Sequence, residues 1–384
     1  MSEVRVIVNP RAAARAEPYG AGRSAVLNAG GFDAAAREVC AWPGYAPTPL
    51  VDLPGLAARL GLARLWYKDE RGRFGLKSFK ALGGAYAVRR VLARQSRPAH
   101  EVTVTCATDG NHGRSVAWGA QLFGCQCVIF IHETVSEGRA EAIRRYGAQV
   151  RRVEGNYDDA VRHAAAQAAA HSWHVVSDTS YEGYRDVPID VMHGYGVMAN
   201  EILGQLPPGE AATHVFVQAG VGALAASVCA AFWIRLGERR ARCVAVEPAN
   251  ADCLFRSVAA GRRVAVQGEL DTIMAGLACG EVSELGWEIL EHGADAVVAI
   301  GDQWALEAVR QLAQPQAGDA RLVAGETGGA GLAALLALQG RPELKQALGL
   351  RGDSKVLLLG SEGDTDPGIY RSIVGRSAEQ VLAP

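Results

Sequence analysis

No stretch of this sequence reaches the ~18 apolar residues that a membrane-spanning helix needs. Its opening residues, MSEVRVIVNPRAAARAE, hold no apolar run of signal-peptide length. There is no excess of one charge: 39 basic residues stand against 41 acidic ones, a formal net of -2. No basic block marks a nucleic-acid or membrane surface. These absences predict a cytoplasmic protein with no nucleic-acid partner and no membrane partner. Cysteine is sparse as well. The eight are scattered (Cys40, Cys106, Cys125, Cys127, Cys229, Cys243, Cys253, Cys279), unlike the framework of a small secreted domain. Cys125 and Cys127 lie in the apolar run CQCVIFI and read as packing residues. A Cys253–Cys279 bridge is conceivable, but buried thiols are the expectation. No metal-ligand spacing stands out.

Glycine, by contrast, is abundant at 45 residues while proline stops at 15, which fits a turn-rich α/β enzyme better than a coiled coil or a disordered chain. A length of 384 residues favours two domains over one core. From about residue 100 onward, short Val-rich runs alternate with longer amphipathic ones. VTVTC, CVIFI, QVRRV and HVVS fall in the first half; HVFVQAG, CVAVEP, ADAVVAIG and KVLLLGSEGD follow. This alternation predicts parallel sheets with helices on both faces. The composition changes at QLPPGEAATH (205–214), a boundary between two groups of elements. The Ala/Arg-rich first 45 residues resist assignment.

Five segments carry chemistry. In KDERGRFGLKSFKALGGAYAV (68–88), Lys80 begins a helix-like run among Phe79, Ala81 and Leu82. A desolvated lysine has a lowered pKa and offers a neutral amine for a Schiff base. A lysine snorkelling at a helix end is the alternative, and favoured on this segment alone. ATDGNHGRSVAW (107–118) places a polar loop between a strand and a helix, an anion site built on free N–H groups. There Asn111 can bond a cofactor hydroxyl. His112 reads as a loop histidine, and Asp109 is either chemical or a helix cap. QAGVGALAAS (218–227) brings small residues to a helix mouth near Ala223, where a backbone can approach a phosphate. It is no dinucleotide fingerprint, because Ala225 stands at the third glycine. Asp178, in VVSDTSYEGYRDVPID (175–190), ends a strand and is a ligand-side carboxylate or a turn former. In LLLGSEGDTDP (357–367), Ser361 or Thr365 can face a heterocyclic nitrogen, while Asp364 and Asp366 read as turn formers.

In this order the motifs resemble the fold-type II pyridoxal-phosphate (PLP) enzymes, the tryptophan-synthase-β-like group. SFKALGG resembles its Schiff-base lysine segment, DGNHG its asparagine loop, GVGAL its phosphate loop and GSEGD the segment facing the pyridine nitrogen. YAPTPLVDLPGLAARLG (45–61) resembles its lead-in. The resemblance runs from Tyr45 to Tyr370. It implies an α/β fold of two open, twisted, mostly parallel sheets flanked by helices. A larger PLP-binding domain would comprise residues 1–90 and 205–384, with a smaller domain, 91–204, carrying the asparagine loop. Within the group, RFGLKSFKALGG, TDGNHGRSVAW, SDTSYEGY, QAGVGALAAS, TIMAGLACGE and SEGDTD resemble the diaminopropionate ammonia-lyase family. That family has Asp at position 109, where dehydratases of the fold carry a small residue.

The resemblance implies that Lys80, beside Phe79, holds PLP. Gly220, Val221, Gly222 and Ala223 would cradle its phosphate, Asn111 would bond its phenolic oxygen, and Ser361 or Thr365 would face its ring nitrogen. Thr108, Asp109, Gly110, Asn111, His112 and Asp178 would bind a small amino-acid substrate, with Lys80, Asp109 and Asp178 catalytic. The implied reaction is α,β-elimination of 2,3-diaminopropionate through aminoacrylate to pyruvate and two ammonia. The rivals are serine or threonine dehydration, β-replacement on the same fold, or a non-catalytic PLP-binding protein. A homodimer is implied as usual for the fold.

Overall fold

The computed structural model describes residues 3–108, 110–155, 157–315 and 318–383. The Val-rich runs form eleven strands: Val4–Val8 (β1), Leu50–Asp52 (β2), Arg64–Asp69 (β3), Thr103–Ala107 (β4), Gln126–His132 (β5), Gln149–Val153 (β6), His174–Val175 (β7), His214–Gln218 (β8), Arg242–Pro248 (β9), Ala296–Ile300 (β10) and Lys355–Gly360 (β11). They assemble into a seven-stranded sheet, β1-β10-β9-β8-β11-β3-β2, and a four-stranded sheet, β6-β5-β4-β7. The smaller sheet is parallel throughout. In the larger one only the two edge strands, β1 and β2, run antiparallel to their neighbours.

The sequence explains the layering. The central strands β8 (HVFVQ) and β10 (AVVAI) are buried at every residue. Such runs suit a strand covered by helices on both faces. The edge strand β6 (QVRRV) instead has only exposed and half-buried positions. The charged Arg151 and Arg152 there discourage edge-to-edge pairing. Strand β1, in the Ala/Arg-rich start of the chain, extends the large sheet beyond the alternating pattern, pairing Val6 with Val298.

Two long helices join the sheets. Lys80–Ala93 packs on Asn111–Phe123 and on Asp186–Gln205, and the latter packs in turn on Ala223–Leu236. Close approach requires glycine. A Cβ on Gly83 would stand 2.4 Å from the Tyr195 ring, and one on Gly194 would stand 2.3 Å from the Leu82 carbonyl oxygen. A buried ionic group fastens the same region. Lys68 Nζ donates to Glu201 Oε2 at 2.6 Å and to Gln205 Oε1 at 2.9 Å. Arg73 bridges Glu70 and Glu201. Charges taken so far from water persist only when paired and hydrogen-bonded.

Among the described residues no helix is long and apolar enough to cross a membrane, and no group of three acidic, cysteine or histidine side chains is placed to hold a metal. None of the eight cysteines forms a disulfide. Cys253 Sγ instead faces Glu247 Oε1 at 3.6 Å and the Gly220 carbonyl at 3.7 Å.

Candidate active site

The chemical segments converge where ligands gather in open α/β sheets, at the carboxyl ends of parallel strands. β4 leads to Thr108, β8 to Gly220, β11 to Ser361, and β7 to Asp178. The Lys80 segment is pinned to the β11 end by a bond from the Phe79 N–H to the Ser361 carbonyl at 3.0 Å.

Lys80 opens its helix as expected and donates from Nζ to Asp178 Oδ2. The rings of Phe79 and Tyr195 flank its amine at 5.4 and 5.7 Å. The lowered pKa expected from sequence is corrected here. Burial does push the amine down, but the Asp178 carboxylate opposite outweighs it and leaves Lys80 well above the usual lysine value. Asp178 mirrors this. Burial would raise its pKa, yet the charges of Lys80 and His112 hold it well below the usual carboxylate range. The lysine is therefore neither a snorkelling surface residue nor a bare neutral amine. It is half of a shielded ion pair, with side chains 21% and 14% exposed.

The asparagine segment also differs from its sequence reading. The helix starts at Asn111, so Asn111 and His112 occupy its first turn rather than a loop. Thr108 makes this possible: its hydroxyl accepts the N–H groups of Gly110 at 3.0 Å and Gly113 at 3.1 Å. A hydroxyl that satisfies these orphan donors fixes a helix start. His112 is buried, with Nε2 2.7 Å from the Val176 carbonyl oxygen, and burial lowers its pKa. The remaining candidate, Asp109, lies outside the described residues.

The glycine segment fits a phosphate. Gly222 has φ +91° and caps the 14-residue helix Ala223–Leu236. A Cβ on Gly220 would stand 3.1 Å from both Cys279 Sγ and the Gly276 carbonyl oxygen. Among the described residues, none accepts a hydrogen bond from the amides of Gly220, Val221 or Gly222. Unspent amides at a helix mouth are a ready anion site. At the β11 end the two candidate hydroxyls separate. Thr365 Oγ1 donates to Glu362 Oε2 at 3.1 Å, while Ser361 Oγ is buried with no hydrogen-bond partner among the described residues. A buried orphan hydroxyl calls for a partner that the protein does not supply. Asp366 caps the helix Pro367–Val374, and Asp364 pairs with Lys77 at 2.6 Å instead of merely forming a turn.

The sequence reading passed over three residues beside these. Glu362 lies inside the GSEGD motif, where attention fell on the hydroxyls. Glu326 is buried, and Tyr195 has a buried hydroxyl without a partner among the described residues. Nothing near Glu326 or Tyr195 in the sequence marks them, since only the fold brings them to the site.

A buried lysine–carboxylate pair, a helix-mouth glycine loop, and an orphan hydroxyl at a strand end fit a phosphorylated heterocyclic aldehyde. They define a PLP-dependent enzyme of fold type II. The family of pyridoxal-phosphate dependent enzymes matches residues 41–361. A diaminopropionate ammonia-lyase of Escherichia coli K12 is 40% identical over 349 residues, covering 86% of this chain and 88% of that one. One from Salmonella typhimurium LT2 is 37% identical over 396 aligned positions, covering 95% and 97%. The crystal structure of the Escherichia coli enzyme in complex with an aminoacrylate-PLP azomethine reaction intermediate superposes with a TM-score of 0.89. Its identity is 37%, over 97% of each chain. The chain belongs to the diaminopropionate ammonia-lyase family, carbon–nitrogen lyases that use pyridoxal 5′-phosphate.

Proposed function

We infer that this chain eliminates the β-amino group of 2,3-diaminopropionate, giving pyruvate and two ammonia, and that the residues above divide the work as follows. When bound, PLP supplies the electron sink that lets the Cα–H and Cβ–N bonds break. Lys80 holds the cofactor, with Phe79 packed beside it. The amides of Gly220, Val221, Gly222 and Ala223 cradle its phosphate, and Asn111 bonds its ring oxygen. Of the two candidate hydroxyls, Ser361 is the one we assign to the ring nitrogen, because Thr365 is already engaged with Glu362. A hydroxyl in that place leaves the nitrogen unprotonated, a sink moderate enough for elimination.

The Lys80–Asp178 pair carries the reading. A dehydratase substrate has one ammonium, whereas diaminopropionate has two. An anionic carboxylate beside the lysine offers the second one a charge-assisted bond. Lys80 Nζ, neutral when it is freed from the cofactor, would take the Cα proton from one face. Burial opposes the ionised form of Asp178 and the charge of Lys80 favours it, so loss of that charge shifts the carboxyl toward protonation. It can therefore receive the lysine's proton and return it to the departing amine, the acid that amine loss requires. Thr108, Gly110 and His112 receive the substrate carboxylate, and Asp109 stands between Thr108 and Gly110 in the sequence. We assign it proton transfer on the opposite face, so that both enantiomers react.

We further propose a large PLP-binding domain of residues 1–90 and 205–384 and a small domain of 91–204, a homodimer, and a cytoplasmic location suited to unpaired thiols. The experiment is a panel of L- and D-diaminopropionate, L- and D-serine and threonine, with pyruvate and ketobutyrate measured. Pyruvate from both diaminopropionates well above that from serine is expected. Pyruvate or ketobutyrate only from the hydroxy amino acids would overturn the reading in favour of a dehydratase.

A further inference from the structure

One buried carboxylate touches the cofactor side of the site and has been given no task. Glu362 follows Ser361 at the end of β11. Its Oε2 accepts from Asn111 Nδ2 at 2.5 Å and from Thr365 Oγ1 at 3.1 Å, and its Oε1 accepts from the Thr327 N–H at 3.3 Å. Its backbone is locked too. The Glu362 carbonyl accepts from the Gly325 N–H at 3.0 Å, and a Cβ on Gly328 would stand 2.2 Å from that oxygen.

The consequence lies on Asn111. Its Oδ1 accepts from Arg114 Nη2 at 2.7 Å while its Nδ2 donates to Glu362. An amide turned end for end would set its oxygen against a carboxylate and its NH2 against a guanidinium, so both contacts would become repulsive. The amide is keyed in one orientation. An NH2 group has two hydrogens, and Glu362 takes one. The other is left to donate.

Next to this contact lies a second buried carboxyl, Glu326, whose Oε1 has no hydrogen-bond partner among the described residues. Its neighbour Thr327 donates to Glu362. The charged groups facing Glu326 are Glu362, Arg139 and Asp366, and Arg114 faces Glu362. Burial, then the charge of Glu362, pushes Glu326 up to about 7.

The geometry points to Glu362 as a positioning residue: by accepting one N–H of Asn111 it aims the other at the cofactor's ring oxygen, and Glu326 sets how negative that corner is. This rests on the reading that Asn111 bonds the ring oxygen. With Glu326 protonated, one carboxylate backs Asn111. With Glu326 ionised there are two, and a negative ring oxygen is disfavoured.

The test uses PLP-loaded protein, wild type against N111A, E362A, E362Q and E326Q, reading the cofactor's absorbance across pH and its dissociation constant. The wild-type band is expected to change with a midpoint near the value of about 7 held by Glu326, and E326Q to lack that change. E362A should displace the band as N111A does and weaken PLP binding roughly tenfold, the loss of one hydrogen bond to a charged group. E362Q, whose amide oxygen still accepts from Asn111, should restore affinity. If N111A alters neither band nor affinity, the assignment of Asn111 fails. If N111A alters both while E362A, E362Q and E326Q all match wild type, the present inference fails and that assignment stands.

Discussion

Asp178→Asn changes one charge and almost no volume, and its first effect should fall on Lys80. In the wild type the amine is held protonated by the carboxylate across from it, against the pull of burial. The variant keeps the burial and removes the carboxylate, so the pKa of Lys80 must fall. Removing one partner of a buried ion pair costs about 3–5 kcal/mol. Here the side chains retain 21% and 14% exposure, so water screens part of the interaction and the lower end applies. About 3 kcal/mol is about 2 pKa units. Only the neutral amine attacks an aldehyde. Below its pKa the neutral fraction rises tenfold per pH unit, so the variant should capture PLP about 100-fold faster at any pH below both values. The assay strips PLP, adds it back at a series of pH values, and follows the visible band of the lysine-bound cofactor, with borohydride trapping to confirm Lys80. The uptake profile should move to lower pH. Turnover of diaminopropionate should fall in the same variant, because the acid for the leaving amine is gone. An uptake profile that coincides with wild type, or lies at higher pH, would refute the idea that Asp178 governs Lys80.

Much of this site was legible because its residues sit in short contiguous strings at the ends of strands, where one segment carries both the fold signal and the chemistry. QAGVGALAAS is a weak phosphate signal from its small residues alone and gains weight from the company of the other segments; the fold puts Gly222 at a helix mouth. The state of Lys80 was not legible, for a physical reason. Three lysines, Lys68, Lys77 and Lys80, fall within one segment, and their local neighbours do not show which charge each one meets. Their environments come from distant parts of the chain: Glu201 for Lys68, Asp364 for Lys77, Asp178 for Lys80. A lysine among apolar neighbours reads as desolvated, and the carboxylate that reverses the sign lies 98 residues away. The same limit hid Glu326, whose only mark is its company. It also misplaced the start of the Asn111 helix, because a threonine hydroxyl three residues upstream is a weak signal beside two glycines. Strand β1 escaped for another reason. It is an edge strand added antiparallel to a parallel sheet, so it belongs to no strand–helix alternation.

Two further substitutions separate scaffold from site. Glu201→Gln should destabilise the fold by about 3–5 kcal/mol, read as a lower denaturant midpoint, because Lys68 and Arg73 would share Glu70 as their remaining buried anion. A change within about 0.5 kcal/mol would mean that the network contributes nothing net. Gly222→Ala tests the phosphate cradle. Gly222 sits at φ +91°, and an added Cβ would lie 3.1 Å from Leu290 Cδ1, so the residue must strain or shift. A non-glycine residue in left-handed backbone costs about 1–2 kcal/mol. Strain alone would also appear at Gly61, which ends the helix Pro54–Leu60 at φ +70° with nothing within 4 Å of an added methyl. The two alanine variants should therefore lose similar stability but differ in PLP affinity. Gly222→Ala should weaken binding roughly tenfold or more, since misaligned amides forfeit a charge-assisted bond, whereas Gly61→Ala should bind as wild type does. Equal affinities in the two variants would mean that the loop's shape is a requirement of the fold alone, and the phosphate would have to be held elsewhere.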